Sequence, residues 1–138
     1  MTPADYASHA EYVRAVYYAL PPEYAAALVN GVGSQLPLLK YINMPRKYRE
    51  LFHEPGNLHD MGYILGGNST HRKACDNAFF VGCVSLSGFD ARGLWWSFTG
   101  WRAVRWGGDL PVLHSWEHRK APLSYADVFH LAKHRLEA

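Results

Sequence analysis

Apolar residues recur at helical rather than strand spacing along nearly the whole chain. After Pro3, the positions Tyr6, Ala10, Val13, Val16 or Tyr17 and Leu20 form one stripe that Pro21-Pro22 ends, which predicts a helix over residues 3 to 20. Glu23 to Val29 reads as a second, short helix stopped by the glycine-rich Asn30-Gly31-Val32-Gly33-Ser34, and loop is expected from there to about Pro55. Pro55 to Leu65 puts Leu58, Met61 and Leu65 on one face before Gly66-Gly67. A following helix, capped by Asn68, Ser69 or Thr70, carries Cys75, Ala78, Phe79, Gly82, Cys83 and Leu86 on one side as far as Ser87-Gly88.

A turn as tight as Gly66-Gly67 obliges the helices on either side to run antiparallel. Beyond them, a tryptophan-rich helix from Leu94 to Trp106 ends at Gly107-Gly108, residues 109 to 122 read as irregular, and Ser124 opens a final helix with Lys133, His134 and Arg135 near its negative end. The expected architecture is all-α: a compact single domain, residues 1–138, of about five helices around a central antiparallel pair.

Composition narrows the picture. With 138 residues the chain can bury one core but not two ordinary ones. A formal charge of +2, with Arg46, Lys47 and Arg49 in one small cluster and Arg119-Lys120 in another, gives no reason to expect a nucleic-acid partner. The start of the chain lacks the pattern of a secretory signal, and no apolar run reaches bilayer length, so cytoplasmic synthesis is expected. Two cysteines cannot build a disulfide framework. Eight residues apart on one helix, Cys75 and Cys83 lie about 12 Å from each other, too far to pair, and both are expected as free thiols.

The candidate chemistry is in the middle of the chain. His59 and Tyr63, four residues apart, share a helix face, while Asp60 is turned about 100° away. Asp76, on the partner helix, is flanked by Cys75, Ala78, Phe79 and Phe80, and a carboxylate in such surroundings requires a partner. His59 can supply one: a hydrogen bond donated by its far ring nitrogen to the Asp76 carboxylate would fix the tautomer and steady the imidazolium.

Taken in order, Asn30-Gly31-Val32-Gly33-Ser34, Asn57-Leu58-His59-Asp60-Met61-Gly62-Tyr63, Gly66-Gly67, Arg72 and Cys75-Asp76 resemble the phospholipase A2 signature of a glycine loop, His-Asp-x-x-Tyr, and an aspartate on the paired helix. The likeness spans residues 30 to 83 and extends to divergent, phage-encoded relatives. It implies that the carbonyls of Val29, Gly31 and Gly33 and the Asp60 carboxylate hold Ca²⁺. It further implies that His59 is the general base for hydrolysis of a glycerophospholipid sn-2 ester, that the Gly31 amide joins the ion in stabilising the oxyanion, and that Tyr63 and Asp76 support His59. The implied partner is a phospholipid membrane surface. Val32 and Gly62 stand where the family often has cysteines, and the spacer from Gly33 to His59 is longer than in most relatives.

Two other readings remain open from sequence. His53, His59-Asp60 and Asp76 are also the residue types of a metal-dependent phosphohydrolase. Alternatively, the chain is a non-catalytic structural or binding protein, such as a phage virion component among other virion proteins, built on a phospholipase A2-like scaffold. Trp95, Trp96, Trp101 and Trp106 suit a core or an exposed interface.

Overall fold

The computed structural model describes residues 1–29, 44–107 and 116–138. Among these it is all-helical: a 3₁₀ turn, Pro3–Asp5, and seven α-helices, α1 (His9–Ala19), α2 (Pro22–Leu28), α3 (Arg46–Leu51), α4 (His53–Leu65), α5 (Ser69–Ser87), α6 (Ala91–Gly107) and α7 (Tyr125–Glu137). The expectation of about five helices is therefore corrected upward. One helix that the pattern did not announce is α3, inside the stretch expected to be loop; at six residues it is too short to show periodicity, and burial of Tyr48 fixes it, the exposed Arg46–Glu50 pair at 2.9 Å adding little.

The expected helix over residues 3 to 20 divides in two. Tyr6 is extended, and Ser8 begins α1 afresh by accepting a hydrogen bond from the Glu11 amide. Pro55 sits inside the first turn of α4 rather than at its start, where a missing amide hydrogen costs little.

Packing forms two clusters. In the first, α1, α2 and α7 close over α4 through Tyr12, Val16, Leu28, Met61, Leu65, Val128 and Ala132. In the second, Met44, Tyr48 and Phe52 meet Phe79 and Cys83 of α5 and Ala103 and Val104 of α6. Fully burying a side chain such as Phe52 contributes roughly 1.5–3 kcal/mol.

Contacts between α4 and α5 run in opposite order along the two helices. A Cβ at Gly82 would touch Pro55, His59 bonds Asp76, and a Cβ at Gly62 would collide with Cys75 Sγ, so glycine at 62 lets the helices approach closely. The turn between them uses Gly66 and Gly67 at φ 71° and 131°, angles open to glycine. Asn68, one of the three expected caps, then accepts hydrogen bonds from the Thr70 and His71 amides at 2.9 and 3.2 Å.

The segment before α7 is strapped across this turn. Gly67 donates to the Glu117 carbonyl, Arg119 to that of Gly67, and Leu123 to that of Leu65. Trp116 stands edge-on to the Tyr63 ring. Among the described residues no helix is long and apolar enough to cross a membrane.

Candidate functional site

Asp76 is the centre of a buried polar network. Its carboxylate, with 0% relative exposure, accepts hydrogen bonds at Oδ1 from His59 Nε2 (2.6 Å) and Tyr63 Oη (2.7 Å), and at Oδ2 from Arg105 Nη1 (2.8 Å). Arg72 Nε lies 3.7 Å from Oδ2 and donates to Tyr63 Oη, while Arg72 Nη2 donates to the Arg105 carbonyl. One carboxylate thus gathers a histidine, a tyrosine and two arginines from three helices. That number of partners makes its burial tolerable.

Each position follows from the helices that carry it. His59 and Tyr63, one turn apart on α4, pack with ring centroids 4.2 Å apart at a 40° tilt and present Nε2 and Oη to the same oxygen. Arg72 and Asp76 are likewise one turn apart on α5. Arg105, near the end of α6, is the member that sequence reading missed. Its only signal was a cation beside Ala103 and Val104, residues that an inward-facing helix stripe would bury.

A hydrogen bond from Nε2 leaves Nδ1 as the basic nitrogen of the neutral His59 ring. The Asp60 carboxylate is 4.0 Å from Nδ1. Burial disfavours the charged imidazolium, but the Asp60 and Asp76 carboxylates outweigh it, and the His59 pKa is raised above the ordinary histidine value. Burial and the neighbouring Asp76 charge push the Tyr63 phenol strongly upward, so Tyr63 remains a donor.

His59 also lines a cavity of ≈ 570 Å³, within the roughly 300–1,000 Å³ range of small-molecule sites. Its walls are mostly apolar: Val13 of α1, Leu58 of α4, and Ala78, Phe79 and Leu86 of α5. Arg14 and Glu54, paired at 3.5 Å, are its charged lining residues.

Asp60, beside His59 Nδ1, also lines a second, smaller cavity of ≈ 250 Å³ with Leu28, Ile64, Glu117, Arg119, Leu131 and Arg135. Its Oδ2 is buried without a hydrogen-bond partner. The buried, unpartnered Asp60 oxygen is a hard donor of the kind Ca²⁺ takes, but Arg119 and Arg135 line the same cavity and Arg119 lies 4.0 Å from the Glu117 carboxylate, so among the described residues Asp60 is the one carboxylate there left for an ion. Of the other expected ligands, Val29 is buried at the end of α2, while Gly31 and Gly33 lie outside the described residues.

Among the described residues no three His, Cys, Asp or Glu side chains converge as a metal set, and His53 does not join His59, Asp60 and Asp76 in one. Both cysteines are free and buried. The tryptophans divide between the two uses the sequence allowed: Trp96 packs on the second core cluster, whereas Trp95 and Trp106 are exposed by 60% and 58%. Comparison with family models, curated proteins and solved structures finds no match to this chain.

Proposed function

We propose that this chain is a calcium-dependent, phospholipase A2-like esterase that hydrolyses the sn-2 ester of glycerophospholipids. One observation carries the reading: a buried histidine, fixed through one ring nitrogen by a fully buried aspartate, sits at the wall of an apolar cavity suited to an acyl chain. The antiparallel α4–α5 pair is read as the scaffold of the His-Asp-x-x-Tyr and Asp motif.

In this reading His59 Nδ1 takes a proton from water as the water oxygen attacks the ester carbonyl. Asp76 accepts the Nε2–H throughout and stabilises the imidazolium that forms. His59 then gives the proton to the departing glycerol oxygen, so a fatty acid and a lysophospholipid leave and the base is restored. Tyr63, Arg72 and Arg105 hold Asp76 in place.

Asp60 would hold the calcium together with the carbonyls of Val29, Gly31 and Gly33, and calcium when bound supplies charge stabilisation for the developing oxyanion. The Gly31 amide is read as a further oxyanion donor.

The test is release of an sn-2-labelled fatty acid from phospholipid vesicles in millimolar calcium and in chelator. Calcium-dependent release, lost in His59→Gln and reduced less in Asp76→Asn, is expected. The order matters, because the first change removes the base and the second weakens its support. Absence of release from both anionic and zwitterionic vesicles would leave the non-catalytic scaffold as the better reading.

A further inference from the structure

The outward face of α6 is unusual for a surface helix. Its buried positions, Gly93, Ser97, Gly100, Ala103 and Val104, form one stripe. Opposite them, at helical spacing, lie the exposed Arg92, Trp95, Phe98, Arg102 and Trp106. A solvated helix face would be mostly polar, whereas this one is aromatic rings separated by cations.

The apolar surface continues beyond α6. Trp101 packs at a tilt against both Phe98 and Phe80, with ring centroids 5.9 and 6.1 Å apart, and Trp101 Nε1 donates to Asn77, which lines the large cavity. Val81 and Leu86, exposed by 62% and 48%, lie on the same cavity. At the α5–α6 turn Phe89 is 67% exposed and held at φ 66°, a backbone angle costly for a residue with a side chain.

We propose that this face, α6 with the tip of the α5–α6 hairpin, docks on the surface of an anionic lipid bilayer. Charge selects the occupant: the 17 residues of α6 contain Arg92, Arg102 and Arg105 and no carboxylate, and the one acid at the hairpin tip, Asp90, is engaged in capping α6 by accepting from the Gly93 amide. Arg105 turns inward to Asp76, which leaves Arg92 and Arg102 on the aromatic face. Tryptophan and phenylalanine interleaved with arginine on one side of a helix match the boundary between headgroups and acyl chains, where rings insert and cations meet lipid phosphates. Docked in this way, the chain would set the apolar cavity beside the lipid. The inference deepens the proposed function, since it assigns the membrane partner of that reading to a particular face, and it concerns binding rather than turnover.

The test uses ether-linked lipids, which have no ester to hydrolyse, so failure to bind is separated from failure to react. The 138-residue chain is sedimented with vesicles of ether-linked phosphatidylglycerol or phosphatidylcholine. The parent chain should bind the anionic vesicles more tightly. Arg92→Gln with Arg102→Gln should weaken that binding roughly thirtyfold, on two headgroup-facing cations, while leaving the weaker zwitterionic binding unchanged. Trp95→Ser with Phe98→Ser should cost on the order of tenfold or more on both. Leu136→Ser, which alters an equally exposed apolar residue on α7, should change nothing.

All the substituted side chains are solvent-exposed, and an unchanged melting temperature would show that the fold is intact. Parent-like binding by both double variants, no vesicle binding by the parent, or a dimer in solution that Trp95→Ser with Phe98→Ser dissociates would each overturn the proposal. The dimer would assign the face to a second copy of the chain.

Discussion

Replacing Asp76 with Asn tests whether the buried network is a charge balance or an incidental cluster. The substitution keeps shape but removes the anion that faces His59 at 2.6 Å and Arg105 at 2.8 Å, with Arg72 Nε 3.7 Å away. An asparagine can accept at one position only, and its amide hydrogens would oppose another donor. Breaking a buried ion pair from one side typically costs about 3–5 kcal/mol, because the remaining charge stays buried and unmatched. A natural domain holds about 5–15 kcal/mol in all, so Asp76→Asn should fold but melt about 10–20 °C lower. Urea denaturation with an unchanged slope gives the number. Arg105 is partly exposed, so Arg105→Gln alone should cost less, about 1–2 kcal/mol. The double variant should fall short of the summed losses by about 1–3 kcal/mol, since the two groups share one interaction. A loss below about 1 kcal/mol for Asp76→Asn, or strict additivity with Arg105→Gln, would refute the charge-balance argument.

Other consequences can be measured separately. Asp60→Asn should abolish calcium binding in calorimetric titration while leaving the melting temperature of the ion-free protein near that of the parent, because the lost oxygen has no hydrogen-bond partner; equal affinity would move the ion elsewhere. Cys75 and Cys83, with pKa values pushed up by burial, should resist thiol reagents in the native state and both count as free thiols after denaturation without reductant. His9 packs 4.7 Å from His71, and burial followed by that neighbour lowers its pKa to about 4. The unfolded chain therefore binds this proton more readily: stability is complete above the ordinary pKa of about 6.5 and falls by about 1–2 kcal/mol, after solvent screening, as pH drops toward 4. His9→Phe should flatten that part of the pH–stability curve in urea titrations, and an unchanged slope would rule His9 out as its source.

The sequence disclosed some of this more readily than the rest, for physical reasons. The α5 boundaries were legible because Asn68 and Gly88 are local signals, a cap that folds back on its own amides and a glycine at φ 79°. The meeting of His59, Tyr63 and Asp76 was legible because a tight glycine turn leaves two helices little choice of direction, and a carboxylate in apolar surroundings needs a donor. Helix α3 was not, since its six residues are fixed by tertiary burial of Tyr48 rather than by periodicity. Nor was Arg105, which reaches Asp76 from 29 positions away in sequence. The Asp60 cavity depends on the strap through Glu117 and Arg119, an irregular segment whose course is set by backbone bonds to Gly67 and Leu65 that no local pattern announces.

The central claim is that His59 is the base of an esterase, and the pH dependence of turnover tests it most directly. Below its pKa the ring is protonated and cannot accept the water's proton, so kcat/KM at saturating calcium should fall on the acid side through the pKa of His59 itself. The same midpoint should appear in an NMR titration of the His59 ring in the substrate-free, calcium-loaded protein, and it should rise when calcium is removed, because the Asp60 carboxylate helps to raise the ring's pKa. Removing the Asp60 charge should lower the ring's NMR midpoint, and His59→Gln should remove the activity whose limb is being followed. An acid limb that ignores the NMR midpoint, or fatty-acid release that survives His59→Gln, would contradict the account.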